Sequence, residues 1–399
     1  MEGDFIKINE WLLPLSWLYG LGVRFRNFLF DVGIRKSHAF TVPIISVGNI
    51  TVGGTGKTPH VEYLVKLLQA QGRVAVLSRG YKRKSRGFVL ADASSTVRDI
   101  GDEPCQMKRK FPNAVVAVDA KRVRGIEQLT ADDPEIDVIL LDDAFQHRQV
   151  KPGINILLVD YHRLVVYDKL LPAGRLREPL RGKNRADIVI VTKCPKMLTP
   201  IEYRVLTKAM DVYPYQHLFF TTIRYESLHH LFEERTRELT DIRADEHVLL
   251  LTGIASPRQL EEDLKALLVD QSSTPNTPTP QLTPLIFPDH HAFRRKDVER
   301  INRSFAALPS PKCIITTEKD AVRLFAVEGL SEEVRQHLYV LPVGIEFMLN
   351  QEEKFNENII GYVRKNSRNS ILAKRKDEHQ ARDSYRLGNG SRTISFRNS

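Results

Sequence analysis

The chain has 399 residues, 42% hydrophobic and 27% charged, with a net charge of +10. That balance excludes a disordered or fibrous chain, suits about two domains with ordinary cores, and points to anionic partners: a nucleotide, nucleic acid or an acidic membrane surface. Its three cysteines, Cys105, Cys194 and Cys313, are too few and too scattered for a disulfide scaffold or a structural zinc site, and are expected to be reduced.

Met1-Glu2-Gly3-Asp4 lacks the basic start of a secretory signal. The uncharged run Trp11 to Val23 is shorter than the ~20 residues that span hydrocarbon. Both tryptophans lie here with Tyr19, Phe25, Phe28 and Phe30, followed by Arg24, Arg26, Arg35 and Lys36. Such a mixture suits a helix lying among the headgroups of an anionic leaflet. Residues 1–36 are therefore expected to form an amphipathic membrane-surface segment, the alternative being a helix packed on its own domain.

Pro43 to Gly48 has the length of a buried strand and runs into a glycine-rich turn, then Lys57-Thr58, then an amphipathic segment from His60 to Gln71. Gly53, Gly54 and Gly56 lack a Cβ, so the backbone N–H groups of Thr51 to Thr58 can curl around phosphate oxygens at a helix N-terminus. Lys57 is placed to reach the β- and γ-phosphates and Thr58 to ligate Mg²⁺, while Pro59 suits a first helical turn. Thr51 stands where the strict phosphate-loop pattern has glycine.

Continuous apolar runs recur at Val74–Leu77, Ala114–Val118, Val138–Leu141, Ile154–Val159 and Ile188–Val191. Runs without alternation indicate strands buried on both faces, so this half is read as a doubly wound α/β domain with functional groups at the strands' carboxyl ends. Those ends carry Ser78-Arg79-Gly80-Tyr81-Lys82-Arg83, then Asp119, Lys121 and Arg122, with an acidic loop Asp99–Pro104 before the Ala114–Val118 strand. Val138–Leu141 ends in Asp142-Asp143, where one carboxylate can hold Mg²⁺ on a nucleotide and the other can hold the site together. Ile188 to Pro195 lacks the aspartate that reads guanine, which favours ATP over GTP. Val52 occupies the place of the extra lysine of partitioning and motor ATPases, which counts against energy coupling.

Taken together, residues 48–59, Ser78–Tyr81, Gly101–Pro104, Asp142–Arg148, Leu170–Pro179, Phe287–His291 and Thr317–Asp320 resemble, in order, the motifs of the tetraacyldisaccharide 4'-kinase family of lipid A synthesis. The resemblance spans roughly residues 5–350. It implies a kinase using ATP and Mg²⁺ on a lipid A disaccharide precursor at the cytoplasmic face of the inner membrane, with neither nucleic acid nor a protein partner required. It also implies that Asp102 is the catalytic base, that His290 orients or polarises it, and that closure of a cleft between two domains brings them together. Asp142, Asp143 and Glu178 would be metal and network carboxylates, with Gln146 and His147 near them, and Tyr81 and Arg122 near the phosphates or the sugar. Ala144 stands where the family more often has glycine. The rivals are a kinase of another hydroxyl and an energy-coupling ATPase.

The expected organisation is a phosphate-loop kinase domain over 37–225, a charged connector over 226–245, a smaller α/β domain over 246–363 and a disordered basic tail over 364–399. Within the smaller domain, Ser, Thr and Pro mark Gln271–Pro284 as an exposed loop.

Overall fold

The computed structural model describes residues 8–269 and 279–366. In chain order, α1 (Leu13–Asp31), β1 (Ile44–Gly48), α2 (Lys57–Gln69), β2 (Val74–Ser78), β3 (Val89–Leu90), α3 (Val97–Ile100) and α4 (Asp102–Lys110) come first. Next are β4 (Val115–Val118), α5 (Arg122–Asp132), β5 (Val138–Asp142), β6 (Ile154–Asp160), β7 (Ile188–Cys194), α6 (Pro200–Met210) and β8 (His217–Tyr225). They are followed by β9 (Leu228–His230), β10 (Thr236–Arg237), β11 (His247–Thr252), α7 (Pro257–Val269), β12 (Gln281–Ile286) and α8 (Arg295–Ala306). The chain closes with β13 (Lys312–Thr317), α9 (Glu318–Leu324), α10 (Glu332–Gln336), β14 (Leu338–Leu341), β15 (Val343–Phe347) and a helix over 352–366.

The larger sheet has nine strands in the order β15-β8-β7-β6-β1-β5-β2-β4-β3. Only its edge strands β3 and β15 are antiparallel to their neighbours. Ile45 and Val47 of β1 enter one core with Val61, Leu64 and Leu68 of α2, while Ile44 enters another with Ile126 and Leu129 of α5. Burial on both faces is why this sheet reads as unbroken Val/Ile/Leu runs. The smaller sheet runs β10-β9-β14-β13-β11-β12. Val298, Ile301 and Phe305 of α8 cover one of its faces, and Leu260, Leu264 and Leu268 of α7 the other.

Several boundaries differ from the sequence expectation. The charged stretch 226–245 contains β9 and β10, both in the smaller sheet. Gln281–Pro284, expected in an exposed loop, pairs with β11, and Pro284 is accommodated because β12 is an edge strand. Residues 270–278 of that loop lie outside the described residues, as do residues 1–7 of the amino-terminal segment and 367–399 of the basic tail. β15, expected in the smaller unit, returns to the larger sheet beside β8. The final helix follows it, burying Phe355, Ile359 and Val363 against β1 and α2. The three cysteines are buried and free. No helix among the described residues is long and apolar enough to cross a membrane.

Candidate active site

The carboxyl end of β1 opens into the loop 49–56, where Gly53 (φ 121°) and Gly56 (φ 74°) take left-handed conformations that side chains rarely adopt. Gly56 then caps the N-terminus of α2, whose first residue is Lys57. The loop is braced from three sides. Asn49 Nδ2 donates to Thr55 Oγ1 at 2.8 Å, and Thr192 Oγ1 donates to the Thr55 carbonyl at 3.0 Å. Lys193 ties the Gly54 carbonyl to Asp160. The Val52 N–H donates to the Arg175 carbonyl at 2.8 Å, and buried Thr51 forms a backbone bridge with Leu176. Thr51 thus serves as a paired, extended residue, where glycine has no advantage.

Asp142 ends β5 and is buried. Its Oδ2 accepts from Ser78 Oγ at 3.2 Å, but its Oδ1 is buried with no hydrogen-bond partner. Burial, reinforced by Glu103 and Asp143, pushes its pKa up to about 7. The strand does not continue past it, because Asp143 turns left-handed (φ 48°). Asp143 thereby faces Lys57 at 3.6 Å and Arg177 at 3.3 Å. Burial would raise its pKa, but those two cations and Arg122 outweigh burial and hold it down. Lys57, Asp142 and Asp143 are brought together as expected, with Thr58 at the second position of α2.

The residues around them divide into direct and supporting places. Arg122 is buried and donates to the main-chain carbonyls of Asp119 and Asp142, the latter at 3.0 Å, so it braces the end of β5. Gln146 Nε2 donates to the Asn49 carbonyl at 2.6 Å and to Glu178 Oε1 at 3.1 Å. Glu178, expected among the metal carboxylates, is buried in an ion pair with Arg185 at 2.9 Å. Burial and the nearby Arg122, Arg79 and Arg26 push the His147 pKa down to about 4. Among the described residues, no group of three or more His, Cys, Asp and Glu is placed to hold a metal ion alone.

Asp102 is not in a loop: it is the first residue of α4, after Gly101 (φ 92°), where an added Cβ would meet the Tyr81 carbonyl at 2.9 Å. The expected partner reaches it from beyond the other sheet. His290, itself left-handed (φ 57°), places Nδ1 at 2.8 Å from Asp102 Oδ2. The other nitrogen of His290 meets Lys319 Nζ at 3.1 Å. Lysine has only donors, so Nε2 accepts and the ring proton sits on Nδ1, directed at Asp102. The exposed Tyr81 packs its ring edge on His290, with centroids 5.1 Å apart.

A sequence profile of the family described as tetraacyldisaccharide-1-P 4'-kinase matches residues 8–364. The chain is 57% identical over 374 residues to a tetraacyldisaccharide 4'-kinase of Phocaeicola vulgatus, covering 93% of this chain and 99% of that protein. A Bacteroides thetaiotaomicron protein of the same name is 52% identical over 392 residues, covering 96% and 100%. This chain belongs to the tetraacyldisaccharide 4'-kinase family. A crystal structure of the "apo" form of the Aquifex aeolicus member, in complex with ATP, superimposes with a TM-score of 0.66 at 30% identity, covering 88% of this chain and 98% of that one. The fold is accordingly that of a phosphate-loop kinase.

One side chain of this kinase's site escaped the sequence reading, and a second, Lys319, entered it only as part of the Thr317–Asp320 motif. Arg323, on the buried face of α9, donates to Asp102 Oδ2 at 2.5 Å and to Asp320 Oδ1 at 2.9 Å. Lys319, one turn earlier, also meets Asp289 at 3.1 Å. A charged residue between Val322 and Leu324 in an otherwise apolar turn was the available signal for Arg323. Burial alone would raise the Asp102 pKa, but hydrogen bonds from His290 and Arg323 reverse the sign and hold it near about 2.

Proposed function

We propose that this kinase transfers the γ-phosphate of ATP to the 4'-hydroxyl of a tetraacyldisaccharide 1-phosphate through a site shared by the two sheets. The observations that support this reading are a phosphate loop whose Lys57 faces Asp143 and, in the same fold, a carboxylate, Asp102, held by His290 and Arg323 from the far sheet. The loop N–H groups and Lys57 hold the triphosphate, since positioning and charge supply most of the catalysis in phosphoryl transfer. The unpartnered Asp142 Oδ1 fits an incoming cation, with the Thr58 hydroxyl as a second ligand and the remaining oxygens coming from phosphate and water. Bound Mg²⁺ would neutralise charge on the transferring phosphate. Glu178, held by Arg185, serves by fixing Gln146 against the loop.

The acceptor hydroxyl forms the new O–P bond as the bond from the γ-phosphorus to the β-phosphate oxygen breaks and ADP leaves. Its proton goes to Asp102, which is ionised at neutral pH and oriented by His290 and Arg323. The smaller sheet acts as a second domain that supplies His290, Lys319 and Arg323 on closing. Helix α1 is the membrane-facing part at the cytoplasmic side of the inner membrane. Trp17 is 73% exposed, Leu18 68% and Leu21 66%, with Trp11 exposed in the turn just before the helix, apolar surface that a headgroup layer would cover. Its other side is tied to the site, with Tyr19 Oη donating to the Arg177 carbonyl at 2.7 Å and Arg26 to the Gln146 carbonyl at 2.8 Å.

The direct test incubates the protein with γ-labelled ATP and the acceptor lipid in micelles. Label should enter the lipid, and Lys57→Ala should abolish it. Release of labelled phosphate at a rate indifferent to the lipid would refute the reading.

A further inference from the structure

Beside His290 a cleft of about 730 Å³ opens between Lys82 and the segment 288–297. That volume is within the usual range for a small-molecule site. Its acidic groups are already satisfied. Asp297 accepts from His291 at 2.9 Å and from the Arg294 N–H at 2.8 Å, and Asp289 accepts from Lys319 at 3.1 Å. Its cations are less committed: among the described residues Lys82, Arg294 and Lys296 form no ion pair, Lys82 resting 5.7 Å from the Tyr81 ring and Arg294 acting on Asp297 only at longer range, while Arg295 pairs with Glu299 at 3.2 Å. A cleft with neutralised acids and exposed cations that form no ion pair attracts an anion.

The position of the cleft narrows the choice of anion. One end is His290, which holds Asp102, the group that takes the acceptor's proton, so the remainder of the same acceptor extends away from that point. We propose that this cleft takes the acceptor's sugar head and that Lys82, Arg294 and Lys296 bind its phosphate monoester, the 1-phosphate. This inference rests on the kinase reading. Lys82 belongs to the larger sheet's loops and Arg294 and Lys296 to the smaller unit, so the phosphate bridges the two. The acceptor thereby favours the closed arrangement in which His290 meets Asp102. Specificity for a 1-phosphorylated acceptor and assembly of the site become one event.

The experiment compares wild type with an Arg294→Ala/Lys296→Ala double variant, and separately with Lys82→Ala. Each is assayed on the tetraacyl disaccharide with and without its 1-phosphate, in neutral detergent micelles. All three side chains are exposed, and matching thermal unfolding would establish that the variants fold. Removing two charge-assisted hydrogen bonds to the phosphate should raise KM for the phosphorylated acceptor about tenfold. The KM for ATP and turnover of the lipid lacking the phosphate should stay unchanged, so the wild type's preference disappears. Equal losses on both acceptors, or a preference that survives, would overturn the inference while leaving the kinase reading intact. So would a loss that emerges only when anionic phospholipid is added, because the cations would then serve the membrane. If wild type labels neither acceptor, the kinase reading falls and takes this one with it.

Discussion

His290 Nδ1 lies 2.8 Å from Asp102 Oδ2, joining residues 188 positions apart and carried by different sheets. The contact ties the carboxylate that opens α4, beside the larger sheet, to the loop that follows β12 of the smaller one. Asp102→Asn should therefore lower kcat by on the order of a hundredfold or more with little change in the KM for ATP. His290→Ala should act in the same direction. The double variant should lose far less than the product, because the two act as a unit. Fully multiplicative losses would show that they work separately.

Arg323 holds Asp102 Oδ2, and its buried guanidinium also satisfies Asp320. Removing it leaves two buried carboxylates short of a partner, so Arg323→Met should destabilise by about 3 kcal/mol or more. Arg323→Lys keeps the charge and separates folding from function. The Asp102 pKa is held near about 2 against 3.8 for the free group. The corresponding stability, roughly 2 kcal/mol, is complete above pH 3.8 and is lost as pH falls towards 2. In Arg323→Lys kcat at pH 7.5 should fall about tenfold with the KM for ATP unchanged. An unchanged kcat would reduce Arg323 to a structural role.

Trp17, Leu21, Phe25 and Phe28 follow helical spacing on α1, and all are exposed. Replacing Trp17, Leu21 and Phe25 with serine should strip the protein from anionic liposomes in a flotation assay and slow turnover of bilayer-presented acceptor. ATP affinity should hold, since all three side chains are exposed on α1. Equal flotation of variant and wild type would remove α1 from the membrane.

His60 bridges the Gly56 carbonyl at 2.7 Å and Thr221 Oγ1 at 3.1 Å, locking α2 to β8. Burial pushes its pKa down to about 4 from 6.5. A depressed base favours the folded state fully above pH 6.5, and that contribution is lost as pH falls towards 4, by roughly 3 kcal/mol in all. Urea unfolding at pH 7.5 and pH 5 should show this decline. His60→Gln should be less stable at pH 7.5 and clearly less sensitive to pH. An equal pH dependence in the variant would assign the decline to other groups, such as His147.

Much of this protein is written locally. The loop from Gly48 to Thr58 announces itself because a phosphate cradle requires glycine at fixed spacing before a helix, and β1, β2, β5, β6 and β7 do so because burial on both faces demands unbroken apolar runs. Asp142 was visible as a carboxylate ending such a run. Other features depended on neighbours far along the chain. Gln281–Pro284 has loop composition and became strand because β11 offered an open edge, and β15 crossed back to pair with β8 because Ile345 and Phe347 bury in the core with α2, Phe347 against Tyr63. Nothing local to Glu178 named its partners, Arg185 at 2.9 Å and Gln146 at 3.1 Å. Arg323 carried no motif of its own. Sequence periodicity records which face of an element is apolar and which turns need glycine, so it determined the strands and the phosphate loop. The partners of Glu178, Asp102 and Arg323 were decided by tertiary structure, because the energy of a buried charge depends on what else the fold brings within hydrogen-bonding distance.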